Sequence, residues 1–137
     1  IVGTGELEEE VKALCEELKI TENVQFLGFQ TNPIKMVHDS KVMILTSRWE
    51  GTPMCALEAM ALGTPIVSTP SDGMKDLIDD GVNGYLTDDD GVMAEKLLTI
   101  MNDPAHGRML GENARKKFNE INDAPKYKQA ISDCYMR

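Results

Sequence analysis

Apolar residues recur along this chain in two registers. Short, continuously apolar runs alternate with stretches in which apolar positions fall three and four apart. The chain opens "IVGTGELEEEV", an apolar pair followed by a Gly-rich turn, which predicts the end of a strand at Ile1-Val2. Leu7, Val11, Leu14, Cys15 and Leu18 then form one stripe at helical spacing and predict a helix. "NVQFLGF" alternates Val24 and Phe26 against Gln25, the pattern of a short strand. "TNPIKMVHDS" predicts a short helix with Pro33 near its start, where a missing N–H costs nothing. "KVMILTS" and "TPIVST" are runs of the kind expected for strands buried on both faces. Between them a helix is predicted from about Met54 to Leu62, stopped by Gly63. "SDGMKDLIDDG" predicts a short helix ended by Gly81, and "NGYLT" a strand. "DDDGVMAEKLLTIMND" begins with Asp residues able to cap a helix and stops before Pro104. Two more helices are predicted, about 105–121 and 126–136.

Strands that alternate with helices through short crossovers, and that lack a clean polar face, indicate an α/β fold. The expectation is a Rossmann-like parallel sheet with helices on both faces. No internal repeat and no low-complexity linker interrupts it.

Composition narrows the function. The 137 residues make one domain's worth of chain. A formal net charge of -9 argues against nucleic acid or an anionic membrane surface as a partner of this piece, since both are polyanions. No apolar run approaches the ~20 residues of a transmembrane segment. The three cysteines, Cys15, Cys55 and Cys134, match no metal spacing and suggest a reducing compartment. They read as small apolar residues. The Asp79-Asp80 and Asp88–Asp90 runs read as helix ends and solvated turns rather than a metal site. His38 and His106 stand alone in the sequence, with nothing beside them to pair. "GTGELE" lacks the third Gly of a dinucleotide fingerprint and reads as a tight turn. No cofactor and no metal are expected. Because the chain starts without Met and near a strand's end, it is expected to be a segment of a longer protein, truncated at its N-terminal end.

The chemistry concentrates in "RWEGTPMCALEAMALGTPIVST", residues 48–69. In open parallel sheets, ligands bind beyond the carboxyl ends of the strands, where loops enter helices. Glu50 lies in such a loop and Glu58 lies inside the helix that follows. Gly51 allows close backbone approach, and Pro53 suits an early helical position. The free N–H groups of the first turn can face a diphosphate. A carboxylate aimed at that phosphate would repel it, so the two Glu residues need another partner. Each can accept two hydroxyls. Ribose and hexose both carry vicinal diols, and a sugar nucleotide has one on each side of its diphosphate. Two carboxylates bracketing the helix start would suit such a ligand. Two solvated surface glutamates would have the same spacing.

"EGTPMCALEAMA", followed by "LGTPIVST" and "GVNGYL", resembles the donor-binding half of family-4 retaining glycosyltransferases. These have the GT-B fold, two Rossmann-like domains with the active site between them. Glu50, Gly51, Glu58, Ala59, Met60 and Ala61 match the family's Glu, seven residues, Glu pattern with its Gly and Ala-Met-Ala. "IVGTGELEEEVKAL" is similar to the family's Gly-x-Gly turn and helix, and "NVQFLGF" to its next strand. The resemblance covers nearly the whole chain, and its central motif is the specific part. It implies that residues 1–137 are a single nucleotide-sugar-binding domain, with the acceptor-binding N-terminal domain outside this chain. Glu58 would bind the ribose hydroxyls. Glu50 would contact the donor sugar and serve as the catalytic-site carboxylate. The backbone of Gly51, Thr52, Pro53 and Met54 would hold sugar and diphosphate. Gly3, Gly5, Gly28, Phe29 and Gln30 would lie near the nucleotide. The partner implied is a nucleoside diphosphate sugar. The location implied is cytoplasmic, with peripheral membrane association of the full-length enzyme left open.

One segment departs from the family. Where the pattern has Gly-Gly-x-x-Glu, this chain has Asp72-Gly73-Met74-Lys75-Asp76, and the sequence assigns that segment no role. By the resemblance, the family's basic diphosphate ligands would be expected before residue 1. A non-catalytic sugar-nucleotide-binding module and a nucleotide-sugar epimerase of the same architecture remain open as alternatives.

Overall fold

The computed structural model describes residues 1–123 and 125. Cys134 and the helix expected over 126–136 lie outside the described residues. The chain divides into two units, Ile1–Lys35 and Met36–Arg137.

In the first unit, α1 spans Glu8–Glu17 and a 3-10 turn spans Thr21–Asn23. Three Glu residues fill the first turn of α1, where the helix dipole favours negative charge. Lys12 sits one turn along and bonds both Glu8 and Glu9 at 2.8 Å. The predicted apolar stripe is there, but only Cys15 of it is buried; Leu7, Leu14 and Leu18 are exposed. The strand expected over "NVQFLGF" does not form a ladder. The Leu27 N–H donates to the Ile1 carbonyl and the Gly3 N–H to the Gly28 carbonyl, both within 2.9 Å. Gly28 then turns to φ +60°, which ends the extended run before a regular pairing can develop.

The helix α2, Ile34–Asp39, leads into the second unit, which holds the sheet. β1 (Met43–Leu45), β2 (Ile66–Ser68) and β3 (Tyr85–Leu86) lie side by side in that order, all parallel. Met43 pairs with Ile66, and Val67 pairs with Tyr85. Between the strands come α3 (Met54–Leu62) and α4 (Asp72–Leu77), and after them α5 (Asp90–Asn102) and α6 (Pro104–Ile121).

Alternation along β2 divides the core between its two faces. Ile66 packs with Ala56, Ala59 and Met60 of α3, Met74 and Leu77 of α4 and Ala114 of α6. Val67, its neighbour, packs with Met93 and Ile100 of α5 and Leu110 of α6. Helices therefore cover both faces, and β2 is fully buried. β1 differs from the expectation of burial on both faces. It pairs only with β2 among the described residues, and Ile44 on one of its faces is 49% exposed.

Helix ends follow local chemistry. Gly63 closes α3 in the left-handed conformation, φ +76°. Asp89 caps α5 through the Val92 N–H, and Asp103 caps α6 through the Ala105 and His106 N–H groups. α4 ends four residues before the predicted stop at Gly81. The reason is Asn83, which is buried at 1% exposure. Its amide donates to the Leu77 carbonyl at 3.0 Å and its oxygen accepts the Asp79 N–H at 2.7 Å, so the helix terminus is satisfied there. Gly81 sits instead in the following turn.

Candidate active site

The carboxyl ends of β1 and β2 feed two loops, and these loops frame the site. From β1 the chain runs through Ser47 and Glu50 to Pro53, which is buried and precedes α3 with extended backbone angles, φ -71° and ψ 115°. No side chain caps α3. The carbonyl of Pro53 accepts the Ala56 and Leu57 N–H groups, so the N–H groups nearest the helix start have no partner within the helix. α3 therefore presents donors and the positive end of its dipole beyond the strand ends.

Glu50 lies before this terminus and is half-buried. Glu58 is also half-buried and sits four residues into the helix, about 6 Å along its axis. The residues between them report on both carboxylates. Burial pushes the Cys55 thiol up; the Ala56 and Cys55 N–H groups oppose that; the charges of Glu50 and then Glu58 add to the rise. By chain position, Glu50 before α3 and Glu58 four residues inside it bracket that helix terminus. Gly51, Thr52 and Met54 are exposed at the same edge.

A cleft of about 490 Å³ opens beside Glu50 and Gly51. Arg48, Trp49, Pro70, Ser71, Asp72 and Lys75 complete its wall. Glu58 does not line it. Trp49 is 85% exposed, an unusual placement for the chain's single Trp. An indole beside carboxylates and cations offers a ring face together with donors and acceptors, the combination that holds a polyhydroxylated ring. The residues that reading the sequence missed are therefore Arg48, Trp49, Ser71 and Lys75. The signal available for one of them was a lone Trp directly before the motif's first Glu.

Gly3, Gly5, Gly28, Phe29 and Gln30 belong to the first unit. Gly3 and Gly5 line a hollow of about 260 Å³ with Phe26 and Val11. Phe29 is 76% exposed, and the Gln30 amide donates to the Leu27 carbonyl at 2.6 Å.

The acidic runs have other work. Asp80 accepts the Leu86 N–H, Asp79 pairs with Lys117 at 2.8 Å and Asp89 caps α5. Among the described residues, no cluster of His, Cys, Asp and Glu could hold a metal ion. The two histidines, unpaired in the sequence reading, both have partners. His106 Nε2 lies 2.8 Å from the Tyr85 hydroxyl, and His38 Nδ1 lies 3.0 Å from Asp39.

The chain matches the glycosyl transferases group 1 family over residues 1–117. It belongs to that family. Among curated relatives, the poly(ribitol-phosphate) alpha-N-acetylglucosaminyltransferase of Staphylococcus aureus (strain COL) is 31% identical over 123 residues, covering 88% of this chain and 25% of that protein. The N-acetyl-alpha-D-glucosaminyl L-malate synthase of Bacillus anthracis is 33% identical over 122 residues, 88% of this chain and 32% of that protein. Among solved structures, TarM superposes with a TM-score of 0.90 at 28% identity, covering 97% of this chain and 27% of that one. Anabaena HepE in complex with UDP-glucose superposes at 0.85 and 26% identity, covering 98% and 39%. These glycosyltransferases have the GT-B fold, and the parallel sheet with helices on both faces is its Rossmann-like domain. The chain thus spans about a quarter to a third of the curated relatives cited. No helix among the described residues is long and apolar enough to cross a membrane.

The Cys55 environment makes a checkable forecast for this glycosyltransferase domain. Its raised pKa lowers the thiolate fraction at neutral pH. Iodoacetamide should therefore label Cys55 more slowly than free cysteine at pH 8, with labelling rising at higher pH. Peptide mass mapping over a pH series reads this directly. Labelling as fast as free cysteine at pH 8 would contradict the environment described.

Proposed function

We propose that this chain is the donor-binding domain of a retaining, family-4 glycosyltransferase that uses a UDP-sugar. The observation that carries the reading is the pair Glu50 and Glu58 disposed about the uncapped start of α3. The diphosphate would sit on the free N–H groups, with Glu58 accepting from the ribose hydroxyls and Glu50 from the sugar hydroxyls. As the sugar leaves, charge develops on the diphosphate. The fixed amides are already oriented toward that charge and need no reorganisation to stabilise it. Further cations and the acceptor would come from a companion domain outside this chain. The crystal structures of HepE with UDP-glucose and of TarM with UDP support uridine as the base. The names of two relatives, a poly(ribitol-phosphate) alpha-N-acetylglucosaminyltransferase and a poly(glycerol-phosphate) alpha-glucosyltransferase, support a hydroxyl-bearing polyol-phosphate polymer as acceptor class. Cys15 and Cys55 are free thiols, which fits a cytoplasmic setting.

The test uses the intact enzyme and proton NMR of the glycosylated product. The transferred sugar should keep the donor's anomeric configuration. An inverted product would overturn the retaining assignment. Conversion of the UDP-sugar to its epimer without an acceptor would overturn transfer itself. The chain alone should show no transfer to added acceptors, because half of the cleft is elsewhere.

A further inference from the structure

The segment that departs from the family pattern has a place in the site. We infer that the turn Thr69–Gly73 braces the Glu50 loop, and that Gly73 and Thr69 are positioning residues for the Glu50 carboxylate. This rests on the reading of Glu50 as the sugar contact.

Three hydrogen bonds tie the turn to β1 and the loop that follows it, one to the last residue of β1 and two to the loop. The Thr69 N–H donates to the Leu45 carbonyl at 3.0 Å, extending the strand pairing past β2. The Thr69 hydroxyl donates to the Ser47 carbonyl at 2.6 Å. The Gly73 N–H donates to the Glu50 carbonyl at 3.0 Å. The loop is thus pinned at Ser47 and again at Glu50, and Arg48 and Trp49 project into solvent between the pins.

The second pin leaves no room. Gly73 is buried, and a Cβ there would lie 1.6 Å from the Gly51 carbonyl oxygen and 2.5 Å from its carbon. Both atoms are backbone, so no side chain can swing aside. Any residue larger than Gly at 73 must displace the peptide between Gly51 and Thr52. The turn itself is stiff. The Ser71 N–H donates to Thr69, and the Ser71 carbonyl accepts from Met74 and Lys75. Ser71 is 6% exposed, and its hydroxyl has no hydrogen-bond partner among the described residues. The bonds that Thr69 and Gly73 donate end on backbone carbonyls of Leu45, Ser47 and Glu50 and leave the Glu50 carboxylate untouched, which makes them positioning residues.

Glu58 stands beyond buried Pro53 on a helix packed into the core, so the brace should act on one carboxylate and not the other. The experiment compares Gly73→Ala, Thr69→Val and Glu50→Gln with wild type in the intact enzyme. Calorimetry gives the affinities for UDP, UDP-glucose and UDP-N-acetylglucosamine; steady-state kinetics give turnover at saturating donor; thermal melts confirm folding. UDP affinity should stay within about twofold in Thr69→Val, whose lost bond ends at Ser47, whereas Gly73→Ala, which displaces the Gly51–Thr52 peptide, should weaken UDP binding as well. Turnover should fall about tenfold or more in Gly73→Ala and about threefold in Thr69→Val, because small misplacements of a substrate-orienting group have large kinetic effects. The affinity difference between UDP and the preferred UDP-sugar should shrink in parallel. If Gly73→Ala does not fold, Thr69→Val decides alone. A folded brace variant with wild-type turnover, where Glu50→Gln is slow, would overturn the brace and leave the sugar contact standing. Equal losses of UDP and UDP-sugar affinity in Thr69→Val would overturn it as well. Normal turnover in Glu50→Gln would instead remove the sugar contact, and the brace with it.

Discussion

Replacing Glu58 by Ala should weaken UDP binding by about 1.5–3 kcal/mol, roughly 10- to 150-fold, by deleting the two charge-assisted hydrogen bonds proposed to the ribose. Glu58 lies on α3, whose apolar side is fixed in the core by Ala56, Ala59 and Met60, each fully buried. Its carboxylate is half-buried, so truncation leaves no buried group unpaired and the fold should survive. The loss should therefore be one of affinity and not of stability. A donor lacking the ribose hydroxyls makes the test specific. The deoxyribose nucleotide should bind wild type poorly and lose little more in Glu58→Ala. Equal calorimetric affinities of UDP for both proteins would show that Glu58 does not hold the ribose.

Glu50→Gln should leave UDP affinity close to wild type and lower turnover of the UDP-sugar about 10- to 100-fold. Glutamine keeps the size of the side chain but loses the charge and replaces one acceptor by a donor. UDP has no sugar for residue 50 to hold. The intact donor has one, and its hydroxyls must be fixed for the anomeric carbon to face the acceptor. Glu50 also lines the cleft with Trp49 and Gly51, whereas Glu58 does not. The two glutamates should thus separate into a binding phenotype and a rate phenotype. Weak UDP binding with normal turnover at saturating donor would exchange their assignments.

Much of this was legible in the chain order of residues. The bounds of α3 follow from Pro53 and Gly63, which act on their own neighbours through a fixed φ and a left-handed cap. β2 is buried because helices flank it on both sides; α3 and α4, its neighbours in sequence, cover the Ile66 face with α6, and the more distant α5 and α6 cover the Val67 face. The caps of α5 and α6 are local too, since Asp89 and Asp103 bond amides two or three residues away. The motif joining Glu50 to Glu58 spans one loop and one helix, and its geometry follows from helical rise.

Features that depend on distant partners were not legible. Asn83 looks like an ordinary turn residue, yet it ends α4 by bonding Leu77, six positions back. The apolar run of β1 gave no sign that Ile44 would be exposed, because exposure depends on which strand lies alongside. His106 stands alone in sequence and meets Tyr85 only when α6 packs against the sheet. "SDGMKD" read as an unexplained departure because its role lies in a backbone contact with Glu50 and Gly51, more than twenty residues earlier. Local order determined the helices, the buried central strand and the two carboxylates at one helix start, since those depend on spacing and caps. Tertiary structure alone decided what braces the first carboxylate, because a close approach between two loops leaves no mark on the spacing within either.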